Sequence, residues 1–334
     1  MALATPTTRL LTDDDVRSVF DWVAAVEALR VAYSPQDDVR RYPVRSMARG
    51  DGVWLRTLSG VAADGSLMGA KLIAASVRGR RASYLIPLFR QETAELAALL
   101  DGNSITGFRT AATSALAADC LAPRKPLAVG VIGSGFEAKN HVRALAAIRK
   151  LAHVSVYSPN PDSRTRFVRE LADAGVEIVA VTDGREVVEG ADLVICAARS
   201  RDETPTLHGE SLAPGMTVLS IGSTLPEQRE VDASVIAAAG LVVADMVDEV
   251  VHDTGDMLAA KRAGITFEHN VIPLSDVVGG RHAGRTSPEQ IVLYKSVGAA
   301  IQDLAVAAMC LTRATERGVG TLLPAPIAPV EKGK

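Results

Sequence analysis

A strand-to-helix turn in the middle of the chain, LAVGVIGSGFEAKNH, constrains the fold more than any other stretch. An apolar run leads into Gly133, Gly135 and Ala138, which form a G-x-G-x-x-A pattern. Gly133 permits a tight turn, Gly135 lets a pyrophosphate approach the backbone, and Ala138 permits close packing of helix on strand. The helix N-terminus attracts the anion. Because a second apolar run, HVSVYS, begins about twenty residues later, the segment predicts a dinucleotide-binding βαβ unit instead of a purely structural turn.

The alternation of apolar strands and amphipathic helices continues through the second half of the chain. The expected strands are PLAVGVIG, HVSVYS, VEIVAVT, ADLVICAA, GMTVLSIG and LVVADM. This many βα units predicts a doubly wound parallel sheet of the Rossmann type, with helices on both faces. Residues 43–100 contain short β-type runs separated by turn signals instead, which predict an antiparallel sheet. Within them, AELAALL fits a helix or a strand equally well.

The predicted fold class is therefore α/β, a Rossmann domain plus a discontinuous β-rich domain. The run SPEQIVLYKSVGAAIQDLAVAAMCLTRATERG predicts one long helix, capped by Ser287, Pro288 and Gln290. This helix would return the chain to the β-rich domain. We place the β-rich domain at residues 1–118 and 306–334 and the dinucleotide-binding domain at residues 119–305. The tail after Gly318 is expected to fray.

Composition excludes several classes of function. With 334 residues, 48% of them hydrophobic, the chain can bury a large core. A net charge of -3 and an aromatic content of 4% argue against nucleic acid or an anionic membrane as partner. The sequence has no HExxH motif and no Cys/His cluster, so no metal site is expected. Its three cysteines are far apart in apolar segments, and no signal peptide or membrane span is evident, so we expect a cytoplasmic protein with free thiols.

The end of the second strand of the βαβ unit bears on which nicotinamide binds. NAD sites usually carry Asp or Glu there to hold the ribose 2′-hydroxyl, whereas this chain has Ser158, followed by Asn160 and Arg164. A missing acid with an arginine nearby favours a 2′-phosphate, hence NADP over NAD. In the alternative, Asp162 holds the ribose and Arg164 is a solvated helix charge. We assign further cofactor contacts to the glycine loop and to two later strand ends, namely Ser134, Phe136, Glu137, Ala197, Ala198 and Gly222.

Three basic residues of the first half lie in unusual places. Arg45 lies in the expected strand PVRSMA, Lys71 lies in the apolar run GAKLIAA, and Arg109 opens the expected helix TGFRTAA. A cation in the first turn of a helix opposes the helix dipole, and a bound anion would offset that cost. Taken singly, each residue also fits a structural role: a snorkelling strand arginine, a lysine that reaches water, and a surface charge.

The segments GAKLIAA, TGFRTAATSALAA, GVIGSGFEAKNH, REVD and RTSPEQIVLYKSVGAAIQDLA together resemble the ornithine cyclodeaminase/μ-crystallin family, over roughly residues 45–320. That family includes ornithine cyclodeaminases, some alanine dehydrogenases, ketimine and imine reductases, and N-(carboxyalkyl) amino acid dehydrogenases. The resemblance implies that the β-rich domain binds substrate and forms a homodimer. It also implies that Arg45, Lys71 and Arg109 hold the substrate carboxylate beside the nicotinamide, and that Thr110 and the glycine loop contact the pyrophosphate.

The turn IGSTLPEQREVD distinguishes between the reactions of that family. Cyclodeaminases carry a G-x-D-x-P-G-K-x-E-L-D pattern with a catalytic aspartate, and the matching residue here is Thr224. Ketimine reductases of the μ-crystallin type carry a serine, which Thr224 resembles more. A neutral threonine cannot supply the base that cyclodeamination needs. Reduction of a protonated imine needs only hydride, positioning and a held carboxylate.

These observations predict an NAD(P)H-dependent reductase of imines next to a carboxylate, with amino acid oxidation as the reverse reaction. Its substrates would be small 2-oxo acid imines, and its catalytic residues Arg45, Lys71, Arg109 and Thr224. Lys71 would donate the proton, and Thr224 would orient the nitrogen or a water. Two alternatives remain: an ornithine cyclodeaminase that retains NAD and uses Glu227 or Glu230 as base, and a non-catalytic NADP-dependent protein that binds a small ligand.

Overall fold

The computed structural model describes residues 7–198 and 202–330. The chain forms two compact units. The first unit comprises Met1–Arg109 and Ala299–Lys334, and the second comprises Thr110–Gly298. The boundaries expected from the sequence, after residues 118 and 305, lie nine and seven residues further along the chain than these.

The described residues contain the following strands and helices. The strands are β1 (Thr7–Leu11), β2 (Ser46–Gly50), β3 (Val53–Val61), β4 (Leu67–Ser76), β5 (Arg81–Arg90), β6 (Leu96–Asp101), β7 (Leu127–Ile132), β8 (Leu151–Tyr157), β9 (Ile178–Ala180), β10 (Leu193–Cys196), β11 (Thr217–Ser220), β12 (Leu241–Ala244), β13 (Val271–Pro273), β14 (Val292–Lys295) and β15 (Thr321–Pro324). The helices are α1 (Asp13–Val19), α2 (Trp22–Tyr33), α3 (Asn103–Leu121), α4 (Phe136–Ile148), α5 (Pro161–Glu170), α6 (Gly184–Val188), α7 (Ala233–Ala238), α8 (Val247–Asp253), α9 (Gly255–Arg262), α10 (Leu274–Val278) and α11 (Ala300–Arg317).

The first unit is built on a seven-stranded sheet in the order β15-β1-β6-β5-β4-β3-β2. Strands β2 to β6 pair antiparallel with their neighbours in sequence, as the sequence predicts. The ambiguous run AELAALL contributes β6, whose residues are mostly buried because the strand lies between β1 and β5. The predicted antiparallel sheet is therefore confirmed.

Helix α11 packs against β3, β4 and β5 in the first unit. Two glycines in these strands allow the close approach. A Cβ added at Gly60 would lie 2.8 Å from Cδ1 of Leu304, and one at Gly69 would lie 3.2 Å from Cδ2 of the same leucine. A larger residue at either position would push the helix off the sheet.

The second unit is a parallel sheet of eight strands in the order β13-β12-β14-β11-β10-β7-β8-β9. Strands β7, β10, β11, β12 and β14 are buried along their whole length. Apolar runs of this kind are typical of parallel strands covered by helices on both faces. All six strands predicted here are present, and the predicted fold class is confirmed.

The prediction of one long helix from Ser287 onward is wrong in its first half. Residues 292–295 form β14, which pairs with β11 on one side and β12 on the other. Gln290 accepts a hydrogen bond from the backbone N–H of Thr286 and so closes a local turn instead of capping a helix. Helix α11 begins only at Ala300. The short apolar run VLYK fits either element by pattern, and pairing with two parallel strands decided for the sheet.

One smaller expectation also needs correction. The tail after Gly318 does not fray at once, because β15 pairs antiparallel with β1. In the described part of the chain, no helix is long and apolar enough to cross a membrane, and no group of three or more metal-ligating side chains occurs.

Candidate active site

A buried ion pair lies on the inner face of the first unit's sheet. Lys71, on β4, is only 1% exposed, and its Nζ lies 2.8 Å from Oδ1 of Asp303 at the start of α11. Nε of Arg109 lies 3.0 Å from the same carboxylate oxygen. Two of the predicted catalytic cations are therefore brought together by one shared carboxylate, and we call Lys71, Arg109 and Asp303 the basic cluster.

Arg109 does not lie in the first turn of its helix, so the position predicted for it from the sequence is wrong. Helix α3 begins at Asn103, so Arg109 lies in its second turn, where the helix dipole acts weakly. Its charge is instead balanced by Asp303, and its Nη1 donates a hydrogen bond to Oε1 of Gln302. Gln302 in turn donates to the hydroxyl of Tyr33. The guanidinium is thus fixed by side chains of α2 and α11.

The basic cluster alters the acidity of its lysine. Burial, the charge of Arg109 and, to a smaller extent, the charge of Arg56 together lower the pKa of Lys71 from 10.5 to about 8. Asp303 opposes these effects through its charge and its hydrogen bond. A lysine in this state can release a proton near neutral pH, so its chemistry fits the role of proton donor predicted for it.

Arg56, which was not singled out from the sequence, is a further cation on the sheet face that carries Lys71. Arg56 on β3 is directly opposite Ile73 on β4, two residues from Lys71. Since side chains alternate along a strand, Arg56, Leu58, Lys71 and Ile73 all project from one face. The signal was present in the run VWLRTLSG, where Arg56 occupies an inward position between Trp54 and Leu58.

Arg45 lies immediately before β2 and is half-buried, so it is outside the strand in which it was expected. The first residue of that strand, Ser46, pairs with Thr57 of β3, whose next residue, Leu58, is opposite Lys71. Arg45 therefore lies at the start of a strand that is two strands away from that of Lys71. Its contact with a substrate carboxylate stays a prediction.

In the second unit, the glycine loop joins β7 to α4. Gly133 has a φ of +113°, and a Cβ there would lie 2.6 Å from the carbonyl oxygen of Ala197, so only glycine fits. The same added Cβ would lie 3.0 Å from Cβ of Ala198. The predicted cofactor residues at the ends of β7 and β10 are therefore brought together. Behind them, Ala138 is fully buried against the sheet.

The loop leaves room for an anion at the start of α4. Gly135 is the N-cap of α4 and offers no side-chain hydrogen bond to it, and a Cβ at Gly135 would meet no described atom within 4 Å. The first N–H groups of a helix have no partner within the helix. Ser134 is half-buried beside this opening, and Phe136 is 48% exposed. The geometry fits the pyrophosphate of a dinucleotide, with Ser134 and Glu137 flanking the turn.

The end of β8 is where the sequence predicts the ribose site of the dinucleotide. Arg164 on α5 donates a hydrogen bond from Nη1 to the carbonyl oxygen of Ser158, and its guanidinium lies 5.8 Å from the ring centre of Tyr157. Asn160 caps α5 by accepting from the N–H groups of Asp162 and Ser163. The arginine is thus held over the strand end, whereas Asp162 is exposed on the helix.

The turn after β11 places Thr224 against the side-chain amide of Gln228. The hydroxyl and the backbone N–H of Thr224 both donate to Oε1 of Gln228, at 3.3 and 3.0 Å. The hydroxyl of Ser223 donates to the carbonyl oxygen of Gln228. Glu227 is exposed at the outside of the turn. Thr110, which was predicted to contact the pyrophosphate, is half-buried on α3 at the start of the second unit.

Glu230, one of the two alternative bases, is turned into the core of the second unit. It is fully buried and accepts hydrogen bonds from the hydroxyl of Ser220 and from the N–H of Gly222, both at 2.8 Å. Lys295, also fully buried, donates to Ser220 and to Asp256. Burial raises the pKa of Glu230 to about 7, and Lys295 opposes that rise. These buried groups, Ser220, Glu230, Asp256 and Lys295, form what we call the buried network.

The buried network holds the turn that carries Thr224. Asp256 accepts a hydrogen bond from the backbone N–H of Glu230, at 2.7 Å, and so fixes the end of the turn to α9. The buried network was not predicted from the sequence, because its members lie on four separate segments and no local pattern joins them. A buried lysine in a strand, as in VLYK, was the one local signal of it.

Two such units, one with a glycine loop on a parallel sheet and one with buried cations on an antiparallel sheet, define a two-domain enzyme that binds a dinucleotide. The chain belongs to the ornithine cyclodeaminase/mu-crystallin family, whose family model matches residues 73–318. The family resemblance seen in the sequence is thereby confirmed.

Relatives within that family act on imines. The chain is 32% identical over 232 residues to a Delta(1)-pyrroline-2-carboxylate reductase of Bacillus cereus, covering 69% of this chain and 70% of the relative. It is 29% identical to the iminosuccinate reductase of Paracoccus denitrificans, covering 70% of this chain and 71% of the relative. A Thermococcus litoralis Delta(1)-pyrroline-2-carboxylate reductase, solved in complex with NADH and L-proline, is 25% identical with a TM-score of 0.85, covering 94% of this chain and 99% of that one.

Proposed function

We propose that this chain is an NAD(P)H-dependent reductase of imines next to a carboxylate, and an amino acid dehydrogenase in reverse. The observation that carries the proposal is the basic cluster, in which a buried lysine and a buried arginine share one aspartate. Two cations against one carboxylate form a site that attracts the carboxylate of a substrate. The names of the relatives support the same reaction.

The mechanism follows from the chemistry of these groups. Arg109, with Arg45, holds the substrate carboxylate and so orients the C=N bond. The dinucleotide, when bound, supplies hydride to the imine carbon. Lys71 donates the proton that the nitrogen needs, so that the imine becomes an amine as the dinucleotide is oxidised. Thr224 holds the nitrogen or a water in place through its hydroxyl.

The residues assigned to the dinucleotide are those of the glycine loop and its neighbours. The loop at 133–138, together with Ala197, Ala198 and Gly222, would line the pyrophosphate and nicotinamide ends. Ser158, Asn160 and Arg164 would receive the ribose. We favour NADP, because Arg164 lies against the carbonyl oxygen of Ser158, where NAD sites usually carry an acid.

A cyclodeaminase is disfavoured by the placement of its candidate bases. Glu230 is fully buried in the second unit and engaged by Ser220 and Gly222. Glu227 is exposed, and Thr224 is neutral. Of the three, only Glu227 is a carboxylate open to solvent, and it points to the outside of the turn.

We propose further that the first unit binds the substrate and forms a homodimer, and that the protein is cytoplasmic. A groove of about 1210 Å³ runs between α2 and α11, with apolar lining residues such as Val31, Leu304 and Met309. A second copy of the chain would cover it. The three cysteines are free, which suits a reducing compartment.

The test of the proposed function follows NADPH absorbance with pyrroline-2-carboxylate and with pairs of 2-oxo acids and small amines. We expect oxidation with the cyclic imine, and with an oxo acid only when an amine is also present. In parallel, ammonia is assayed with ornithine and catalytic NAD. Stoichiometric proline and ammonia would identify a cyclodeaminase, and tight ligand binding without oxidation would identify a binding protein.

A further inference from the structure

A buried aspartate lies at the carboxyl end of β12 and takes no part in the proposed mechanism. Asp245 is only 5% exposed, and its carboxylate accepts three hydrogen bonds. The hydroxyl of Ser296 and the N–H of Gly298 donate to Oδ2, at 2.6 and 2.8 Å. The N–H of Val297 donates to Oδ1, at 3.0 Å. One carboxylate therefore engages three consecutive residues, 296–298, which directly follow β14.

These bonds fix the path of the chain as it leaves β14. Hydrogen bonds to a charged carboxylate are about twice as strong as those between neutral groups. On the other side of the segment, the N–H of Ser296 donates to the carbonyl oxygen of Ser220, at 3.0 Å. Gly298 has a φ of +84°, in the left-handed region that glycine adopts readily. Residues 296–298 are thus held between the end of β11 and Asp245, and loss of the carboxylate would remove three of the contacts that hold them.

The carboxyl ends of the central strands of the second unit are level with one another. The last residues of β7, β10, β11, β14 and β12 are paired in register, namely Ile132, Cys196, Ser220, Lys295 and Ala244. The residues that follow these strand ends therefore lie side by side along one edge of the sheet. Ligands of doubly wound sheets bind along this edge. Residues 296–298 consequently border the same crevice as the glycine loop and the turn after β11.

The strand order predicts which part of a dinucleotide would lie beside residues 296–298. The edge runs in the order β8, β7, β10, β11, β14 and β12. The ribose residues follow β8 and the glycine loop follows β7, so the dinucleotide would extend from β8 towards β11. Neighbouring strands are about 4.8 Å apart, which puts the end of β11 about 10 Å and the end of β14 about 14 Å from the glycine loop. The nicotinamide would therefore lie over the ends of β10 and β11, with residues 296–298 on its far side.

We propose that Asp245 is a positioning residue, which fixes residues 296–298 as the far wall of the pocket that receives the nicotinamide. This inference rests on the dinucleotide site of the proposed function and adds a residue to it. Asp245 acts through the segment that it holds, so its effect should be confined to the nicotinamide half of the dinucleotide. The adenosine half, bound at the ends of β8 and β7, should be indifferent to it.

The first experiment compares NADPH with 2′-phospho-ADP-ribose, which lacks only the nicotinamide. The fluorescence of bound NADPH gives its Kd, and displacement of NADPH gives the Kd of the fragment. We expect the wild type to bind NADPH at least about tenfold more tightly than the fragment. Asp245→Ala should reduce that ratio below about threefold and leave the Kd of the fragment within about twofold of wild type. If the protein binds NADH more tightly, NADH and ADP-ribose take the place of this pair.

Asp192→Ala provides the matched control. Asp192 directly precedes β10, at the opposite edge of the same sheet, and its carboxylate also accepts a backbone N–H, that of Ala128, at 3.1 Å. Its removal should leave the ratio of the two Kd values unchanged. Equal affinities of the wild type for NADPH and the fragment would overturn the inference. So would an Asp245→Ala protein that keeps the wild-type ratio, or one that loses both ligands by the same factor, since the latter marks a purely structural role.

Ser296→Ala decides the question if Asp245→Ala does not fold. This variant removes one of the three donors and keeps the carboxylate with the N–H groups of Val297 and Gly298. It should lower the ratio of the two Kd values at least about twofold, again without a change in the Kd of the fragment. An unchanged ratio would then reject the role of Asp245.

The second experiment needs no variant. Hydrogen exchange is followed by mass spectrometry in peptides that cover residues 292–298, with saturating NADPH and with saturating 2′-phospho-ADP-ribose. We expect NADPH to slow exchange there more than the fragment does, and equal exchange would overturn the inference even if imine reduction is observed. Slower exchange with NADPH in a protein that reduces no imine would retain the nicotinamide pocket and reject the proposed reaction. A wild type that binds neither ligand would reject the dinucleotide site and this inference together.

Discussion

Lys71 is buried and paired, yet its pKa is lowered to about 8, because desolvation and the charges of Arg109 and Arg56 outweigh Asp303. A proton donor must be protonated before it reacts. Reductive activity should therefore be full below pH 8 and fall as the pH rises through about 8. The measurement is the pH dependence of kcat with pyrroline-2-carboxylate and saturating NADPH.

Removal of a neighbouring cation provides the control for that assignment. Arg56→Gln deletes a charge that lowers the pKa of Lys71, so the alkaline limb should move to higher pH. Arg81, the first residue of β5, is exposed on the opposite face of the sheet, so Arg81→Gln should leave the limb in place. If the alkaline limb has the same midpoint in Arg56→Gln as in wild type, or if activity rises through pH 8, Lys71 is not the proton donor.

At the residue scale, we expect Ser158 to determine the cofactor preference. The wild type should have a higher kcat/KM with NADPH than with NADH, because Arg164 is held beside the strand end. Ser158→Asp should shift preference toward NADH, since a carboxylate repels the 2′-phosphate and accepts a bond from the ribose hydroxyl. The check is the ratio of kcat/KM for the two cofactors. Equal values in the wild type would reject the NADP assignment.

At the scale of the element, helix α11 supplies the carboxylate that pairs with a cation on β4 and a cation on α3. Asp303 is fully buried, and its carboxylate forms ion pairs with both Lys71 and Arg109. Asp303→Ala leaves two buried cations without it and should lower the free energy of unfolding by about 3–5 kcal/mol. Urea unfolding measures the loss. Asp173→Ala, an exposed change in a turn outside the groove, should stay within about 0.5 kcal/mol of wild type. A small effect of Asp303→Ala would mean that water or another group balances the cations.

Strands β11 and β14 and helix α9 hold the buried network, and its effect should appear in the pH dependence of stability. Burial raises the pKa of Glu230 to about 7 in the folded protein, from 4.5. The folded state then binds more protons than the unfolded state, so this group lowers stability as the pH rises from about 4.5 to 7. Glu230→Gln removes that dependence. The unfolding free energy of the variant relative to wild type should therefore increase between pH 5 and 8.

The matched control for that experiment is Glu227→Gln in the same turn, because Glu227 is exposed. Its difference from wild type should not vary with pH. If Glu230→Gln also shows a constant difference, the carboxyl titrates normally in the folded protein.

At the scale of the whole molecule, we expect the groove between α2 and α11 to be covered by a second copy of the chain. Light scattering should give a mass twice the 35.1 kDa of one chain. Val31 lines the groove and is 61% exposed, so Val31→Asp should produce monomers without unfolding the protein. Val77, 62% exposed but outside the groove, provides the matched change Val77→Asp, which should leave the dimer intact. A monomeric wild type would reject the proposal.

The sequence by itself determined the parallel sheet, the antiparallel sheet and the glycine loop. Each depends on a local pattern: apolar runs of strand length, the two-residue alternation, and glycines where a larger residue cannot fit. It also determined that Thr224 stands where cyclodeaminases carry an aspartate, because the type of residue at a position is read directly from the sequence. The family followed from the same motifs.

Only the tertiary structure decided how the charges are arranged. Asp303 meets Lys71 across 232 residues of chain, and no local period predicts such a pair. Strand β14 replaced the first half of a predicted helix because pairing with β11 and β12 outweighs a capping pattern in a short apolar run. Whether Glu230 faces the core or the solvent likewise depends on Ser220 and Lys295, which pack from other strands. Long-range pairing and burial are properties of the folded chain, so the site's electrostatics could be read only from the fold.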